Sequence, residues 1–391
     1  MPLGSRALLV ASLVVGLALC ANGQSRPAPR QKSPAPPTPV WRISFQPGDP
    51  ISGFIASPVV KGAYQCTSDG TVFTNFIENA AEGAIIDTLH LPLASISPSK
   101  QVFRFQIAHV DGLHDVQEID HFASESEVVF LVSAALEDKP TKQRYRHDDG
   151  SISEETINGA PYHRFAIIFD REAKFQSTIQ LDDAFEVQQL GIFPSGLFLA
   201  YGFDEVDRSS KIALLNSDGT ILKYLQMDDG VMPKTAFGKP PNWKGPEIFV
   251  DAQHQSIVLR SVQFVAFRTS IVVVQSQTRY PLVEVSESGA VRVIHPKLPD
   301  GVKVNSLIAS DANLFAIVGK MLDGSRIFEL SPRTGAALRR FRFGQGESSQ
   351  VACVHDGTFL SFENGRDGAL VPMVGTGERD SDAPPENRAK R

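Results

Sequence analysis

Cysteine, long charged runs and recognisable catalytic motifs are all scarce in this sequence. Its 391 residues hold 3 cysteines, and 38 basic against 44 acidic side chains leave a net charge of −6. No run of Lys or Arg indicates a surface for nucleic acid or an anionic membrane, so we expect neither as a partner. The chain also lacks a Gly-x-Ser-x-Gly elbow, a phosphate-binding glycine-rich loop and a His-Glu-x-x-His motif. The enzyme families that these motifs define are therefore not indicated.

Residues 1–23 have the composition of a secretory signal peptide. One arginine precedes the apolar run 7–19, which is shorter than the roughly 20 residues that a membrane span requires. We expect cleavage after Gly23 and a periplasmic or secreted protein with no transmembrane helix in its mature chain. The alternative is lipid anchoring at Cys20, which is disfavoured because a bulky leucine stands where such motifs usually have a small residue.

The segments that flank the predicted domain do not look globular. Residues 24–40 are a Pro-rich linker, because such sequence favours extended polyproline II conformation and cannot build a core. Residues 374–391 are polar and are expected to be a disordered tail. The folded domain is therefore predicted to span residues 41–373. Removal of the signal peptide leaves Cys66 and Cys353 as the cysteines of the mature chain.

A short repeat recurs along the predicted domain. Each copy is a mostly apolar strand, a tight polar turn and a second apolar strand. The five clear copies are YQCTSDGTVFTNF (64–76), HFASESEVVFLVS (121–133), LGIFPSGLFLAYG (190–202), LIASDANLFAIVG (307–319) and VACVHDGTFLSFE (351–363). A sixth lies between 249 and 276 in one of two registers, FVDAQHQSIVLRS or FVAFRTSIVVVQS, and the spacing to the next copy favours the second.

A second hairpin follows most copies and makes the repeating unit four strands long. These hairpins occupy residues 164–181, 211–227, 280–296 and 326–343. Their turns are rich in Gly and Asp, which supply the positive φ that tight hairpins need. Six antiparallel four-stranded units without an amphipathic helix predict an all-β fold, a six-bladed β-propeller. A pair of β-sandwiches would explain the hairpins but not why they come in fours.

The last copy supplies only three strands before the tail, whereas residues 41–47, WRISFQP, form an extra strand at the other end of the domain. We expect Trp41 to Phe45 to complete the last blade, since such closure removes two open sheet edges. On this blade pattern the chain resembles the six-bladed propellers of the NHL and TolB-like kind, of the exported bacterial type. The resemblance covers residues 41–373 and implies architecture, not an active site.

Cys66 and Cys353 occupy matching positions in the first and last copies, within CTSDGT and CVHDGT. The two blades adjoin when the ring closes, but a disulfide needs Cα atoms within about 7 Å of each other. Corresponding positions in neighbouring blades can be farther apart than that. We therefore expect two free, buried thiols, and their place in inner strands argues against a nucleophilic role.

Any ligand site is expected on one face of the ring. Turns between first and second strands, and between third and fourth, are short, and we call their side the short-turn face. Connections between second and third strands, and between blades, lie on the opposite, long-loop face. They include the long stretches 108–118, 135–162, 203–210 and 228–246. Long connections are often functional, so we expect a ligand site on the long-loop face, at the mouth of the central channel.

The densest polar stretch of the chain, IAHVDGLHDVQEIDHF (107–122), falls on this face. Its candidate binding residues are His109, Asp111, His114, Asp115, Glu118, Asp120 and His121. Imidazoles and carboxylates bind zinc, but the spacing matches no metal motif and a loop with one glycine is not a rigid cage. We expect a solvated connection with no metal and no cofactor. Trp243, in the Pro-rich loop 237–246, either anchors a sugar or peptide or packs as a plug.

These features favour a binding or interaction module over an enzyme. We expect an unknown protein, peptide or saccharide as the ligand, and a monomer. The alternative is a metal-assisted hydrolase or lactonase that uses loop acids and histidines at the channel mouth. A ring of acids and histidines from several blades, converging on one point, would favour the enzyme.

Overall fold

Every regular element of the described residues is a β-strand. The structure is a computed structural model that describes residues 38–51, 54–56, 65–78, 93–97, 101–107, 110–136, 141–146, 152–157, 162–204, 209–226, 248–249, 257–258, 262–275, 281–299, 302–310, 312–318, 326–343, 351–364 and 370–380. His109 and Trp243, two of the predicted binding residues, lie outside these ranges.

In chain order the strands are β1 (Val40–Pro47), β2 (Phe54–Ala56), β3 (Gln65–Cys66), β4 (Val72–Glu78), β5 (Leu93–Ile96), β6 (Val102–Arg104), β7 (His114–Ala123), β8 (Glu127–Ala135), β9 (Thr141–Arg146), β10 (Ile152–Ile157), β11 (Tyr162–Asp170), β12 (Phe175–Gln180), β13 (Phe185–Ile192), β14 (Phe198–Asp204), β15 (Ser209–Leu215), β16 (Ile221–Leu225), β17 (Ile248–Phe249), β18 (Ile257–Val258), β19 (Val262–Phe267), β20 (Ser270–Gln275), β21 (Leu282–Ser286), β22 (Val291–Ile294), β23 (Val304–Ala309), β24 (Leu314–Val318), β25 (Arg326–Leu330), β26 (Ala337–Phe343), β27 (Val351–His355), β28 (Thr358–Asn364) and β29 (Leu370–Arg379).

The strands form six antiparallel sets of four, which confirms the predicted six-bladed propeller. Blade 1 is β3 to β6, with β2 pairing on β4 beyond the short β3. Blade 2 is β7, β8, β11 and β12, and blades 3, 4 and 5 are β13–β16, β19–β22 and β23–β26. Blade 6 is β27, β28, β29 and β1. The β19–β20 hairpin confirms the second register for the ambiguous copy, and β17–β18 forms a separate two-stranded sheet.

The inner strands β3, β7, β13, β19, β23 and β27 neighbour one another in this order, and β27 returns to β3. Glutamine side chains fasten some of these neighbours together. Gln65 donates from Nε2 to the carbonyl of His121 (2.7 Å) and accepts from the N–H of Ala123 (2.5 Å). Gln263 makes the same two-way contact with the backbone of Leu307, at 3.3 and 3.1 Å. Each such hydrogen bond is worth about 1 kcal/mol net.

The core lies between blades, which explains why the strands read as unbroken apolar runs. In β8 every residue from Val128 to Ala135 is buried. Four phenylalanines join blades 1 and 2 through ring contacts with centroid distances of 5.6 to 6.2 Å: Phe73, Phe105, Phe130 and Phe169. Burying one such side chain stabilises the fold by about 1.5–3 kcal/mol, so this cluster contributes strongly to the packing of blade 1 against blade 2.

The first strand closes the ring, as the sequence predicts. β1 pairs antiparallel with β29, from Trp41 opposite Arg379 to Pro47 opposite Met373. It also pairs in parallel with β26, from Val40 opposite Arg340 to Ile43 opposite Phe343. This second pairing was not predicted, and it joins blades 5 and 6 into one eight-stranded sheet. β1 therefore satisfies two outer edges at once, which leaves neither of them open to another chain.

The predicted boundary of the tail was wrong, because β29 continues to Arg379. Residues 374–379 are polar and glycine-rich, and they form a strand because β1 supplies their hydrogen bonds. Close approach also explains the glycines. A Cβ on Gly375 would lie 2.8 Å from side-chain atoms of Ile43 and Phe45, so only glycine lets β1 pack this tightly on β29.

Cys66 and Cys353 form a disulfide with a Cα–Cα distance of 5.2 Å, so the expectation of free thiols was wrong. The reason lies in the size of the side chains at this level of the channel. The residues at the matching position of the six blades are Cys66, Ala123, Ile192, Ala266, Ala309 and Cys353. Because five of these six are Ala or Cys, the inner strands approach closely enough for the two cysteines to bond.

A chain that begins at residue 48 should lose the cooperative fold, not merely fray at one end. It would expose the outer edges of both β26 and β29 and remove the fully buried Ile43. Thermal unfolding followed by circular dichroism measures this, with a chain that begins at Thr38 as the matched control. Equal melting temperatures for the two chains would disprove closure by β1.

Replacing both cysteines, as Cys66→Ala with Cys353→Ala, should lower the free energy of unfolding by about 2–4 kcal/mol. The bond closes a loop with a sequence separation of 287, which restricts the unfolded chain strongly. Urea unfolding with and without a reductant measures the change. The reductant should destabilise the parent by a similar amount and leave the double variant unaffected; a parent that does not respond would contradict the bond.

Candidate functional site

The central channel is too narrow to admit a ligand between the described inner strands. Across it, β3 approaches β23 and β7 approaches β19. A cavity of about 10 Å³ lies at this level, and residues of four blades line it, among them Gln65, Ala123, Gln263 and Leu307. A cavity of this size holds about one water molecule. A ligand therefore has to bind at one of the two faces, not inside the ring.

On the long-loop face, the structure places the predicted residues in two groups. Asp111 lies in a turn closed by a hydrogen bond from the N–H of Leu113 to the carbonyl of Val110 (3.2 Å), and it is exposed. His114 and Asp115 begin β7 and are also exposed. Among the described contacts these three side chains form no hydrogen bond or ion pair. The predicted connection 108–118 was too long, because β7 already begins at His114.

The second group, Asp120 and His121, is buried in β7. Nδ1 of His121 lies 2.8 Å from the carboxylate of Glu118, and its ring packs 6.2 Å from that of Phe130. Nε2 of His121 is buried and has no hydrogen-bond partner. The described contacts thus bring Glu118 and His121 of the predicted set together. In the described part of the chain, no three His, Cys, Asp or Glu side chains gather in an arrangement that suits a metal ion.

Blade 2 carries further polar groups on this face, and sequence reasoning missed the histidine among them. Nδ1 of His163, at the start of β11, lies 2.9 and 3.0 Å from the two carboxylate oxygens of Asp183, and this pair is partly exposed. Asp182 accepts a hydrogen bond from the N–H of Ala184 (2.9 Å). The neighbouring acids Asp182 and Asp183 therefore end a strand and hold a histidine, and nothing in the sequence marked His163 as their partner.

Two large apolar side chains stand exposed at the same end of blade 2. Leu136 is 45 % exposed and follows β8, and Tyr162 is 46 % exposed and begins β11. Ala135 is in register with both His114 and Tyr162, which therefore flank it on the two neighbouring strands. The β9–β10 hairpin leaves the blade between Leu136 and Tyr162. We call the set His114, Leu136, Tyr162, His163 and Asp183 the blade 2 rim.

A second cavity, larger than the one in the channel, opens on the short-turn face. It measures about 70 Å³, and four turns from different blades place polar side chains around it: Ser68, Glu125, Arg268 and Ser310. Its floor includes Cys66, Phe267 and Ala309. The sequence predicted the long-loop face as the functional one, and it missed this cavity because each of the four residues sits singly in its own turn.

A hydrogen-bonded network holds the turns of blades 1 and 2 on this face. Both carboxylate oxygens of Glu125 accept from Ser68, one from its N–H (2.9 Å) and one from its hydroxyl (2.8 Å). Arg171 donates to the carboxylate of Asp69 at 2.7 and 2.8 Å and to the hydroxyl of Thr71 at 2.6 Å. These contacts tie the tip of blade 1 to blade 2.

The network changes the acidity of Asp69. Burial by itself would raise the pKa of this carboxyl, but hydrogen bonds from the Thr71 N–H, the Thr67 hydroxyl and Arg171 outweigh burial and lower the pKa to about 2. Asp69 is therefore ionised in the fold at neutral pH, and its charge is available to hold Arg171.

The comparisons with known proteins give no family. No family model and no curated protein matches the chain. Among solved structures, a protein of unknown function from Dyadobacter fermentans is 9% identical over 86% of this chain and 99% of its own, with a TM-score of 0.39. The N11 neuraminidase-like protein of influenza virus A/flat-faced bat/Peru/033/2010 (H18N11) is 10% identical over 88% and 96%, with a TM-score of 0.38. Both scores are low, so the propeller assignment rests on the strand pairing described above.

In the part of the chain that the structure describes, no helix has the length and apolar character that a membrane crossing needs.

Asp69→Asn should destabilise the protein by roughly 1 kcal/mol at pH 7, a figure reduced for the partial exposure of the Asp69–Arg171 pair. Because the folded pKa lies below the unfolded value of 3.8, the carboxylate stabilises the fold fully above pH 3.8, and this contribution disappears as the pH falls towards about 2. Urea unfolding of parent and variant between pH 7 and pH 2 should therefore show two curves that converge at low pH.

Asp218→Asn is the matched control, because Asp218 lies in an identical Ser-Asp-Gly-Thr stretch of blade 3. Among the described residues, its carboxylate bonds only within its own turn, to the N–H and hydroxyl of Thr220. Its replacement should cost less than that of Asp69. Equal losses for the two variants would mean that the contact with Arg171 contributes nothing.

Proposed function

We propose that the protein is an exported β-propeller that binds a protein, peptide or saccharide through its long-loop face. Export is supported by the signal-like residues 1–23 and by the Cys66–Cys353 disulfide, since such bonds persist in oxidising compartments. We further propose a monomer and kinship with the NHL and TolB-like propellers, supported by the six four-stranded blades and their closure by the first strand.

The observation that supports this binding face best is the pair of exposed apolar side chains in the blade 2 rim. Tyrosine is frequent among the residues that dominate binding energy, because it offers a large rigid surface and a polar tip at low entropic cost. Tyr162 and Leu136 expose nearly half of their surface beside two histidines. In the chain, the β9–β10 hairpin lies between these two residues.

The runner-up is a hydrolase or lactonase, and one observation favours it. In the blade 2 rim, Asp183 orients the imidazole of His163, which is the arrangement that prepares a histidine to act as a general base. A second catalytic group would have to reach this histidine. His114 lies two strands away and is in register, through Ala135, with Tyr162 and not with His163, so the described rim does not place it beside the His163 imidazole. His163→Ala separates the two functions, since it would abolish turnover but only weaken binding.

Tyr162→Ala combined with Leu136→Ser should weaken ligand binding about 10- to 100-fold and leave the free energy of unfolding within about 0.5 kcal/mol of the parent. A ligand would first be identified by applying the mature chain to peptide and glycan arrays, and its affinity then measured by calorimetric titration. Phe175→Ala is the matched control, because Phe175 is similarly exposed in the same blade but lies at its short-turn end.

Unchanged affinity in the double variant, or an equal loss in Phe175→Ala, would contradict the proposed face. Zinc-dependent ester or lactone hydrolysis that disappears in His163→Ala would replace the proposal with the enzyme.

A further inference from the structure

Three arginines form one row across the outer strands of the sheet that blades 5 and 6 share. Arg326 of β25 is in antiparallel register with Arg342 of β26, and Arg342 is in parallel register with Arg42 of β1. Residues in register point to the same face of a sheet, and neighbouring strands lie about 4.8 Å apart, so the row spans about 10 Å. All three side chains are exposed. The blade 2 rim lies on other blades, so this row is independent of the function proposed above.

The arrangement of the arginine row is unfavourable for the fold itself. Like charges directly opposite each other on neighbouring strands destabilise a sheet, and Arg342 has an arginine on both sides. Charged residues commonly protect the open edge of a sheet from other chains. That role does not explain the row, because β25, β26 and β1 are interior strands of the eight-stranded sheet. The row therefore indicates a use for its charge outside the fold.

A largely buried carboxylate fixes the middle of the row. Asp380, which follows β29, forms an ion pair with Arg342, whereas 44 % of the Arg342 side chain stays exposed. A guanidinium has five N–H donors, so the pairing with Asp380 leaves donors of Arg342 for a ligand. Arg340 lies two residues earlier on the same face of β26 and brings a further positive charge to this region.

The ends of the row keep their charge. Arg42 and Arg326 form no hydrogen bond or ion pair among the described contacts. Glu378 of β29 is in register with Arg42, so its carboxylate weakens the positive potential at that end. With Arg340 included, four guanidinium groups and two carboxylates lie on the described part of this face. The face is therefore locally positive in a chain whose net charge is −6.

Beyond the row, the same face of β1 and β29 is mainly polar and uncharged. Ser44 is in register with Thr376, and Gln46 with Val374, and all four are exposed. Hydroxyl and amide groups donate and accept hydrogen bonds, as sugar hydroxyls require. The described part of this face exposes no aromatic side chain, whereas proteins that bind single-stranded nucleic acid commonly stack bases on such side chains.

We propose that this face binds an acidic polysaccharide, with its anionic groups on the arginine row and its hydroxyl groups beside Ser44 and Thr376. Guanidinium groups donate paired hydrogen bonds to carboxylates and to oxyanions of similar geometry. A chain that carries anionic groups at intervals can contact both ends of a row about 10 Å long, whereas one small anion cannot neutralise both. The sequence does not reveal the row, because strand pairing alone brings Arg42 to Arg342.

Calorimetric titration of the full disulfide-bonded chain with dextran sulfate tests the proposal, and uncharged dextran is the control with the same sugar backbone. We expect saturable binding of dextran sulfate that weakens with added salt, because salt screens exposed charges, and no binding of dextran. Arg42→Gln combined with Arg326→Gln should lower the affinity about tenfold or more. Glu378→Gln should raise it about two- to fivefold, because this change removes an opposing charge.

Arg333→Gln is the matched control, because it makes the same change of charge at an exposed arginine in the turn between β25 and β26. Arg326 and Arg342 lie at the other end of that hairpin, so the control should leave the affinity unchanged. The double variant should melt no lower than the parent, since it removes repulsion between like charges. A loss of affinity in it would then not reflect a loss of the fold.

Equal affinities of the parent and the double variant for dextran sulfate would overturn the site, as would an equal loss in Arg333→Gln. Dextran that binds as well as dextran sulfate would overturn the role of charge. Vesicles of anionic phospholipid, or oligodeoxythymidine, that bind more tightly than dextran sulfate and lose affinity in the double variant would replace the polysaccharide with a membrane or a nucleic acid.

Discussion

Closure of the ring is the constraint on which the rest of the structure depends. A propeller blade buries both faces only if it has a neighbour on each side, so the first and last blades need each other as much as any other pair. Here the closure is made twice. β1 completes blade 6 from the other end of the chain, and the Cys66–Cys353 disulfide links blade 6 to blade 1 at the inner strands. The pairing of β1 acts at the outer edge of the ring, and the disulfide acts near its axis.

Because β1 lies between β26 and β29, the contacts that close the ring form cooperatively. Its partners are about 300 residues away in sequence, so these contacts form only after the chain between them has been brought together. Once formed, they merge blades 5 and 6 into a single sheet. Blades 1 to 4 have no such shared strand among the described residues. Neighbouring blades there are held together by side-chain packing and by hydrogen bonds such as those of Gln65 to the backbone of β7.

The sequence predicted those parts of the fold that depend on local chemistry. Tight turns such as Ser-Asp-Gly, flanked by apolar runs, mark hairpins because few residues tolerate positive φ, and their spacing revealed blades of four strands. The end of β29 and the disulfide depend instead on what lies opposite in space. In the sequence, Gly375 and Gly377 are typical of a loop, and only their pairing with β1 shows that they belong to a strand. Cys66 is interpreted as a free thiol unless one recognises that alanines at the matching positions of other blades let the inner strands approach closely.

The candidate sites show the same division. The polar stretch 107–122 stood out in sequence because its residues are close together, yet the structure separates them into exposed residues, in a turn and at the start of β7, and the buried Asp120 and His121. By contrast, Ser68, Glu125, Arg268 and Ser310 are scattered over more than half of the chain and meet around one cavity. These residues meet because the blades are arranged around one axis, and a sequence pattern does not show which turns that arrangement brings together.

The two faces share one element, the β7–β8 hairpin of blade 2. His114 begins β7 at the blade 2 rim, and Glu125 lies in the turn at its other end, beside the short-turn cavity. Between these ends β8 is buried from Val128 onward, whereas β7 is buried from Asp120 to Ala123 and is partly or fully exposed from His114 to Ile119. An element couples distant sites only if it has two alternative arrangements, and a buried strand packed on both faces offers only one. β8 is therefore a rigid support that joins the two ends of the blade.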